Sequence, residues 1–250
     1  GVSASTVGVL SQSNSTARIN ANRPYVLLWQ WSGGMLGSGF TGAKDFAGGG
    51  SHFAMIKSDG TLWMWGQNAY GNLGFGNTTD YSSPKQVGSL TTWSKISCGT
   101  YFVLAIKSDG TLWSWGYNNG GQLGLGNRTY YSSPKQIGAL TTWASVSSAN
   151  EQTIAIKTDG TMWSWGYNQY GQLGQGDIFN YISPTQVGFN TWSTISASTS
   201  NSMGIRTNGL LFSWGYNFYG QLGNYLVYSN PIKKSFKISL IIPCHSSILL

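Results

Sequence analysis

Four cations recur on a fixed interval. Lys57, Lys107 and Lys157 stand 50 residues apart, and Arg206 follows 49 later. Each lies just ahead of an Asp-Gly or Asn-Gly pair. If equivalent positions share one rim of the fold, these four form a basic surface for an acidic protein, a nucleic acid or an anionic glycan. The bland alternative is turn-flanking charge that keeps strand edges from pairing. Lys85 and Lys135 make a shorter second set, which Thr185 interrupts. Three tyrosines repeat as well: Tyr81, Tyr131 and Tyr181, with Tyr228 following. Tyr suits an interface, and the residues before each one vary between copies, as partner-reading loops do. The competing role is a cap on the repeat that carries it. Lys57, Lys107, Lys157, Arg206, Tyr81, Tyr131 and Tyr181 are therefore the candidate partner-binding residues.

Catalytic chemistry has less to work with. The chain holds seven acidic residues and two histidines. Asp59, Asp109 and Asp159 sit in the repeated turn, where Asn208 takes the fourth place, and turn chemistry explains them. Asp45, Asp80, Glu151 and Asp177 share no motif. His52 stands where Phe102 and Gln152 stand in later copies, so it is no repeated ligand. Cys244 and His245 are adjacent, which is not the ligand spacing of one zinc. Cys98 reads as a small packed apolar residue. No Ser-His-Asp set is identifiable. The G-x-G runs do not open helices, so a dinucleotide site fails its context test. The expectation is a protein that is no enzyme, with no metal site and no cofactor.

The elements that must position these residues follow from the repeat. "KSDGTLWSWGYNNGGQLGLGN" (107–127) has close copies at 57–77 and 157–177 and a weaker one at 206–224. Within each copy the apolar period is two. "YFVLAIK" (101–107) alternates on both faces, as a strand covered on both sides does. "SDGT" supplies a tight turn. "LWSWG" returns, with Trp113 and Trp115 on one face and Leu112 and Ser114 on the other. "SPKQIG" and "WASVS" read as two more short strands. No window shows a helical stripe. A four-stranded unit of about 50 residues in tandem predicts an all-β chain, a β-propeller in which neighbouring blades bury each other's faces. Trp65, Trp115, Trp165 and Trp214 are expected between blades. Small Gly, Ala and Ser on the facing surface would receive them. Gly74, Gly124, Gly174 and Gly223 belong to the same repeated core and allow close backbone approach.

The run Trp115, Gly116, Asn118, Gly121, Gln122, Leu123, Gly124, Gly126, followed by "SSPKQIG", resembles the repeats of the regulator of chromosome condensation family. It recurs from Trp65, Trp165 and Trp214. The resemblance covers roughly residues 25 to 232. Kelch repeats carry a different double-glycine pattern, and WD signatures are absent. The resemblance implies a propeller, usually of seven blades, and functions of recognition: nucleotide exchange on a small nuclear GTPase, chromatin docking, inhibition of a β-lactamase, ultraviolet sensing. The sensing reading needs Trp beside Arg, and no Arg accompanies the repeated Trp here. An exchange factor needs a wedge-like loop, and the internal units agree in length to within one residue.

The expected organisation is a Ser/Asn-rich irregular leader (1–24), then propeller repeats (25–232). These comprise a partial unit at 25–50, units at 51–100, 101–150 and 151–199, and a partial unit at 200–232. An aberrant tail, basic then apolar, closes the chain at 233–250. Four to five blades are then present. A seven-bladed ring needs roughly 350 residues at this period, so the expectation is a piece of such a ring, a smaller ring, or an arc that closes by self-association. No signal peptide is read, and no apolar run reaches the roughly 20 residues of a membrane helix. Only 8% of residues are charged and the net charge is +7. A nucleic-acid footprint normally shows more positive charge than this. The function expected is non-catalytic binding of a protein partner through rim loops, with nucleic acid not favoured. A nucleotide-exchange or chromatin-docking role, and a structural or adhesion module of a surface or virion assembly, are the alternatives.

Overall fold

The alternating apolar runs become strands, and every turn between them is short enough to bring the next strand alongside. The computed structural model describes residues 42–223 and the backbone of residues 239–241. The expected leader, the upstream partial motif at 27–40, Tyr228, Pro231, Cys244 and His245 lie outside the described residues.

The described residues form three antiparallel sheets. The first contains β1 (Ala43–Gly48), β2 (His52–Lys57), β3 (Leu62–Gly66) and β4 (Tyr81–Gln86). The second contains β5 (Trp93–Cys98), β6 (Phe102–Lys107), β7 (Leu112–Gly116) and β8 (Tyr131–Gln136). The third has seven strands: β9 (Trp143–Ala149), β10 (Gln152–Lys157), β11 (Thr161–Gly166), β12 (Tyr181–Ala197), β13 (Asn201–Arg206), β14 (Leu211–Gly215) and β15 (Ser239–Ile241). No helix occurs among the described residues. This is the all-β propeller that the repeat predicts.

Sequence repeat and sheet are out of phase. The segment "WASVS" ends the sequence unit that holds β6 to β8, yet as β9 it pairs with β10 in the next sheet. The third sheet is long because β12 serves two blades. Its first part pairs with β11 and its last part with β13. The cause is one missing residue. "VGSLTTW" (87–93) and "IGALTTW" (137–143) become "VGFNTW" (187–192), and the shorter link runs straight through as strand.

The Asp-Gly turn is a three-residue loop, longer than the two-residue form an Asp-Gly pair suggests. The Gly60 amide donates to the Lys57 carbonyl, and the Lys57 amide donates to the Thr61 carbonyl, both at 2.9 Å. Only the glycine needs positive φ, at +79°. The Asp59 carboxylate accepts from the Thr61 amide and hydroxyl, and Thr61 Oγ1 accepts from Trp63 Nε1. The same set recurs at Asp109 and Asp159. Pro134 lies inside the outermost strand β8, at a register shift opposite β7, where no ladder donor is lost.

The core sits between sheets. In β6 and β7, Val103 pairs with Trp115 and Ala105 with Trp113, so one face carries Trp and small residues. Phe102, Leu104, Ile106 and Leu112 fill the other face. Trp115, Val103 and Ala105 pack on Ile56, Leu62, Met64, Leu73 and Val87 of the preceding sheet. Trp165 and Trp143 repeat this against Leu104, Ile106 and Leu112, and Trp214 and Trp192 against Ile156, Met162 and Val187. The surface that receives each Trp is thus mainly aliphatic, which corrects the expectation of small Gly, Ala and Ser there. The small residues lie on the Trp face itself, leaving room for the indoles. The exception is the loop glycine. A Cβ on Gly74 would stand 2.9 Å from Trp115 Nε1, and Gly124 and Gly174 hold the same place under Trp165 and Trp214. Trp115 Nε1 donates to the Asn72 carbonyl at 2.9 Å. Trp165 and Trp214 donate likewise to Gln122 and Gln172. Burying one such side chain is worth about 2–3 kcal/mol.

Candidate functional site

The antiparallel order of the strands gives the sheets two ends. The Asp-Gly turns and inter-blade links occupy one end, and the W-G-x-N loops occupy the other. The four repeated cations lie at the first end. Each is laid against aromatic rings. Lys107 Nζ is 3.6 Å from the Trp113 ring centroid and 5.1 Å from that of Trp93. Lys157 holds the same position over Trp163 and Trp143, at 3.5 and 5.0 Å. The Arg206 guanidinium is 4.0 Å from Phe212 and 5.3 Å from Trp192. Lys57 is 5.6 Å from Trp63 and forms a 3.8 Å ion pair with Asp59. Desolvation, partly offset by the turn aspartate, holds the Lys107 and Lys157 ammonium groups below the usual lysine range. The side chains thus extend the Trp stacks between sheets.

Tyr81, Tyr131 and Tyr181 begin the outer strands and are half-buried. The Tyr81 hydroxyl accepts from Lys85 Nζ at 3.1 Å and Asn77 Nδ2 at 3.4 Å, and its ring packs edge-on against Phe75. The Lys85 and Asn77 bonds pull its phenol below the usual range. Tyr131 accepts from Asn127. Tyr181 donates to Asp177 at 2.6 Å, which pushes its phenol up. Among the core residues, Trp115, Trp165 and Trp214 are buried, whereas Trp65 of the first sheet is partly exposed. Gly223 closes its turn with φ +71°.

The motif loop is self-supporting. Buried Asn118 donates from Nδ2 to the Asn127 and Thr129 carbonyls and accepts at Oδ1 from the Leu123 amide. Asn68 does the same in the first copy. Gln122 Oε1 accepts from the Gly120 amide, and Ser114 Oγ donates to the Leu123 carbonyl. Most of the motif's polar groups are used in building the loop, although Gln122 Nε2 and Asn72 Oδ1 are buried without a hydrogen-bond partner among the described residues.

What those loops display is a tyrosine band that the sequence reading did not single out. Tyr70 meets Tyr101, Tyr117 and Tyr130 at centroid distances of 5.1, 4.9 and 5.8 Å. Tyr117 and Tyr130 meet at 4.9 Å. A second group joins Tyr170 to Tyr216 at 4.9 Å, and Tyr216 to Phe218 and Tyr219. Tyr219 is 80% exposed, so the band faces solvent. The signal lay in the repeat: Tyr117, Tyr167 and Tyr216 share one register position, and Tyr70, Tyr170 and Tyr219 share another. Between the two groups stand Gly120 and Glu151. Burial raises the Glu151 carboxyl above its usual range. Burial, and then the Glu151 charge, push the Tyr117 phenol up.

Other chemistry is sparse. Among the described residues no three of His, Cys, Asp and Glu gather as metal ligands. Cys98 is a free thiol in the core, and burial raises it. His52 is fully buried beneath Gly49, and burial lowers its imidazole to about 4.

Comparison with known proteins agrees with this architecture. The regulator of chromosome condensation (RCC1) repeat matches residues 59–106, 109–156 and 159–205, and a second form of that repeat matches 43–72, 93–122, 145–172 and 192–221. The Arabidopsis thaliana ultraviolet-B receptor UVR8 is 41% identical over 58 residues, 22% of this chain and 13% of that protein. Prp20p from Saccharomyces cerevisiae, whose binding properties to Gsp1p and histones accompany its structure, superposes with a TM-score of 0.64 at 20% identity, covering 71% of this chain and 46% of its own. Human WBSCR16 superposes at 0.63 with 22% identity, covering 69% and 47%. The chain spans less than half the length of each of these relatives.

Proposed function

This chain belongs to the regulator of chromosome condensation (RCC1) repeat family, and on that premise we propose that it is a non-catalytic β-propeller that binds a protein partner through its loops. The observation that carries the reading is the tyrosine band at the W-G-x-N end. Large aromatics with a polar tip lie exposed there on rigid loops, an arrangement enriched at protein interfaces. The repeated cations are less available, because Trp and Phe rings hold them at the opposite end. The non-catalytic part is supported by how the ionisable groups are used: three aspartates close turns, and His52 is buried and neutral. That Prp20p binds the proteins Gsp1p and histones is in keeping with a protein partner.

Affinity capture from a cell extract tests this with three baits. The wild-type chain is compared with Tyr170→Ser/Tyr219→Ser at the band and with Phe189→Ser, a fully exposed ring at the other end. A nuclease-resistant protein partner retained by Phe189→Ser and lost by the tyrosine pair is expected. Loss only with Phe189→Ser, or only after nuclease, would overturn the reading.

A further inference from the structure

We infer that the break in the tyrosine band, where Glu151 meets Gly120, is a receptor for one cationic side chain, arginine above all, of a basic segment in the partner protein. The inference rests on the protein-binding reading and names the chemistry of that site. The repeat locates it. Position 70 carries Tyr, as do 170 and 219, but position 120 is Gly. Position 101 carries Tyr, but its equivalent 151 is Glu. Where Tyr70 packs on Tyr101, the second and third copies therefore place a carboxylate beside a glycine. A Cβ on Gly120 would lie 3.5 Å from Glu151 Oε2 and 3.5 Å from Tyr167 Cβ. The carboxylate thus stands in the space a ring fills elsewhere. Tyr117 and Tyr167 flank it, and both feel its charge.

Among the described residues Glu151 has no cation to answer it. No hydrogen bond or ion pair engages its carboxylate among the described residues. The other cations of those residues lie in strands or at the Asp-Gly end, and Arg128, on the loop before Tyr130, forms no ion pair with it. A half-buried carboxylate with two tyrosines beside it attracts a cation by charge, and a neighbouring ring adds to that where the cation lies over its face. Guanidinium fits better than ammonium, because it is planar, stacks on tyrosine and is more weakly hydrated.

The probe is an acetylated, amidated tetrapeptide with one arginine, set beside its citrulline counterpart of the same shape and no charge. Binding is read from amide NMR shifts of Glu151 and Tyr167. Saturable binding of the arginine peptide is expected, about tenfold tighter than citrulline. Glu151→Gln should abolish the preference. Gly120→Tyr should also abolish it, by restoring the ring that other copies carry. Gly120 has no positive φ, but its Cβ would lie 3.3 Å from buried Gln122 Oε1 and 3.5 Å from Tyr167 Cβ, so a thermal melt first establishes that this variant is folded, and Glu151→Gln carries the test alone if it is not. Equal binding of both peptides, binding of neither, or an arginine preference that survives Glu151→Gln would each overturn the inference. If extract capture depends on Tyr170 and Tyr219 but is indifferent to Glu151→Gln, the protein-binding reading stands and the cation receptor falls.

Discussion

Trp115 and His52 show how differently one buried side chain can bear on this fold. Trp115 fills the space between two sheets, is fully buried, and donates to Asn72 across the interface. Trp115→Ala should cost about 3–5 kcal/mol in chemical denaturation. Trp65→Ala should cost clearly less, because Trp65 is only partly buried. Equal losses would remove the distinction between the interfaces. His52 sits in a site built for an apolar residue: Phe102 lies beneath Gly99 as His52 lies beneath Gly49. Both imidazole nitrogens lack a hydrogen-bond partner among the described residues. The unfolded chain takes up the proton near pH 6.5 and the folded one near 4. Stability is therefore full above 6.5 and falls as pH drops towards 4, by roughly 3 kcal/mol in all. His52→Phe should remove that loss, so thermal melts at pH 7 and pH 5 should converge in the variant. The Trp spacing was legible from the sequence. The isolation of His52 was not, since it depends on which groups come to surround it.

Elements are joined here by links whose length decides their form. The six-residue links at 87–92 and 137–142 leave separate strands, whereas the five residues at 187–191 run through as β12. Deleting Leu90, which is exposed, should join β4 to β5 in the same way. Hydrogen exchange at residues 88 to 91 should then slow. Unchanged exchange would show that residue types, rather than length, keep the strands apart. The cations also act at this scale. Lys107→Gln keeps a polar stem and removes the charge over Trp113. It should destabilise the second sheet by about 1 kcal/mol, seen as a lowered melting temperature, while Lys44→Gln, exposed in β1, should leave it unmoved.

Across the whole molecule, a stack of sheets owes its stability to each sheet plus its interfaces with its neighbours. The second sheet is packed on both faces. The first leaves Phe46 and Phe53 exposed, at 79% and 52%, on the side its Trp residues face. Amides of β2 and β3 should therefore exchange faster than those of β6 and β7 in native-state hydrogen exchange; uniform protection would mean the stack opens only as one unit. Much of this architecture is written in the chain. A period of two names strands, a repeat of 50 names blades, and the positions of Trp115, Trp165 and Gly124 name the interface, because those signals are local or recur in register. Three matters were settled only when the strands were placed. The phase of the blade depends on which sheet "WASVS" joins, and both choices satisfy the same pattern. Lys107 and Lys157 stand at one end of the sheets, and only the strand pairing puts Trp113 and Trp163 beneath them. The carboxylate of Glu151 acquires its setting from Gly120, 31 positions earlier, and from tyrosines of adjoining blades. Those contacts join residues distant along the chain, and packing between sheets, with no local periodicity to announce it, decides which of them meet.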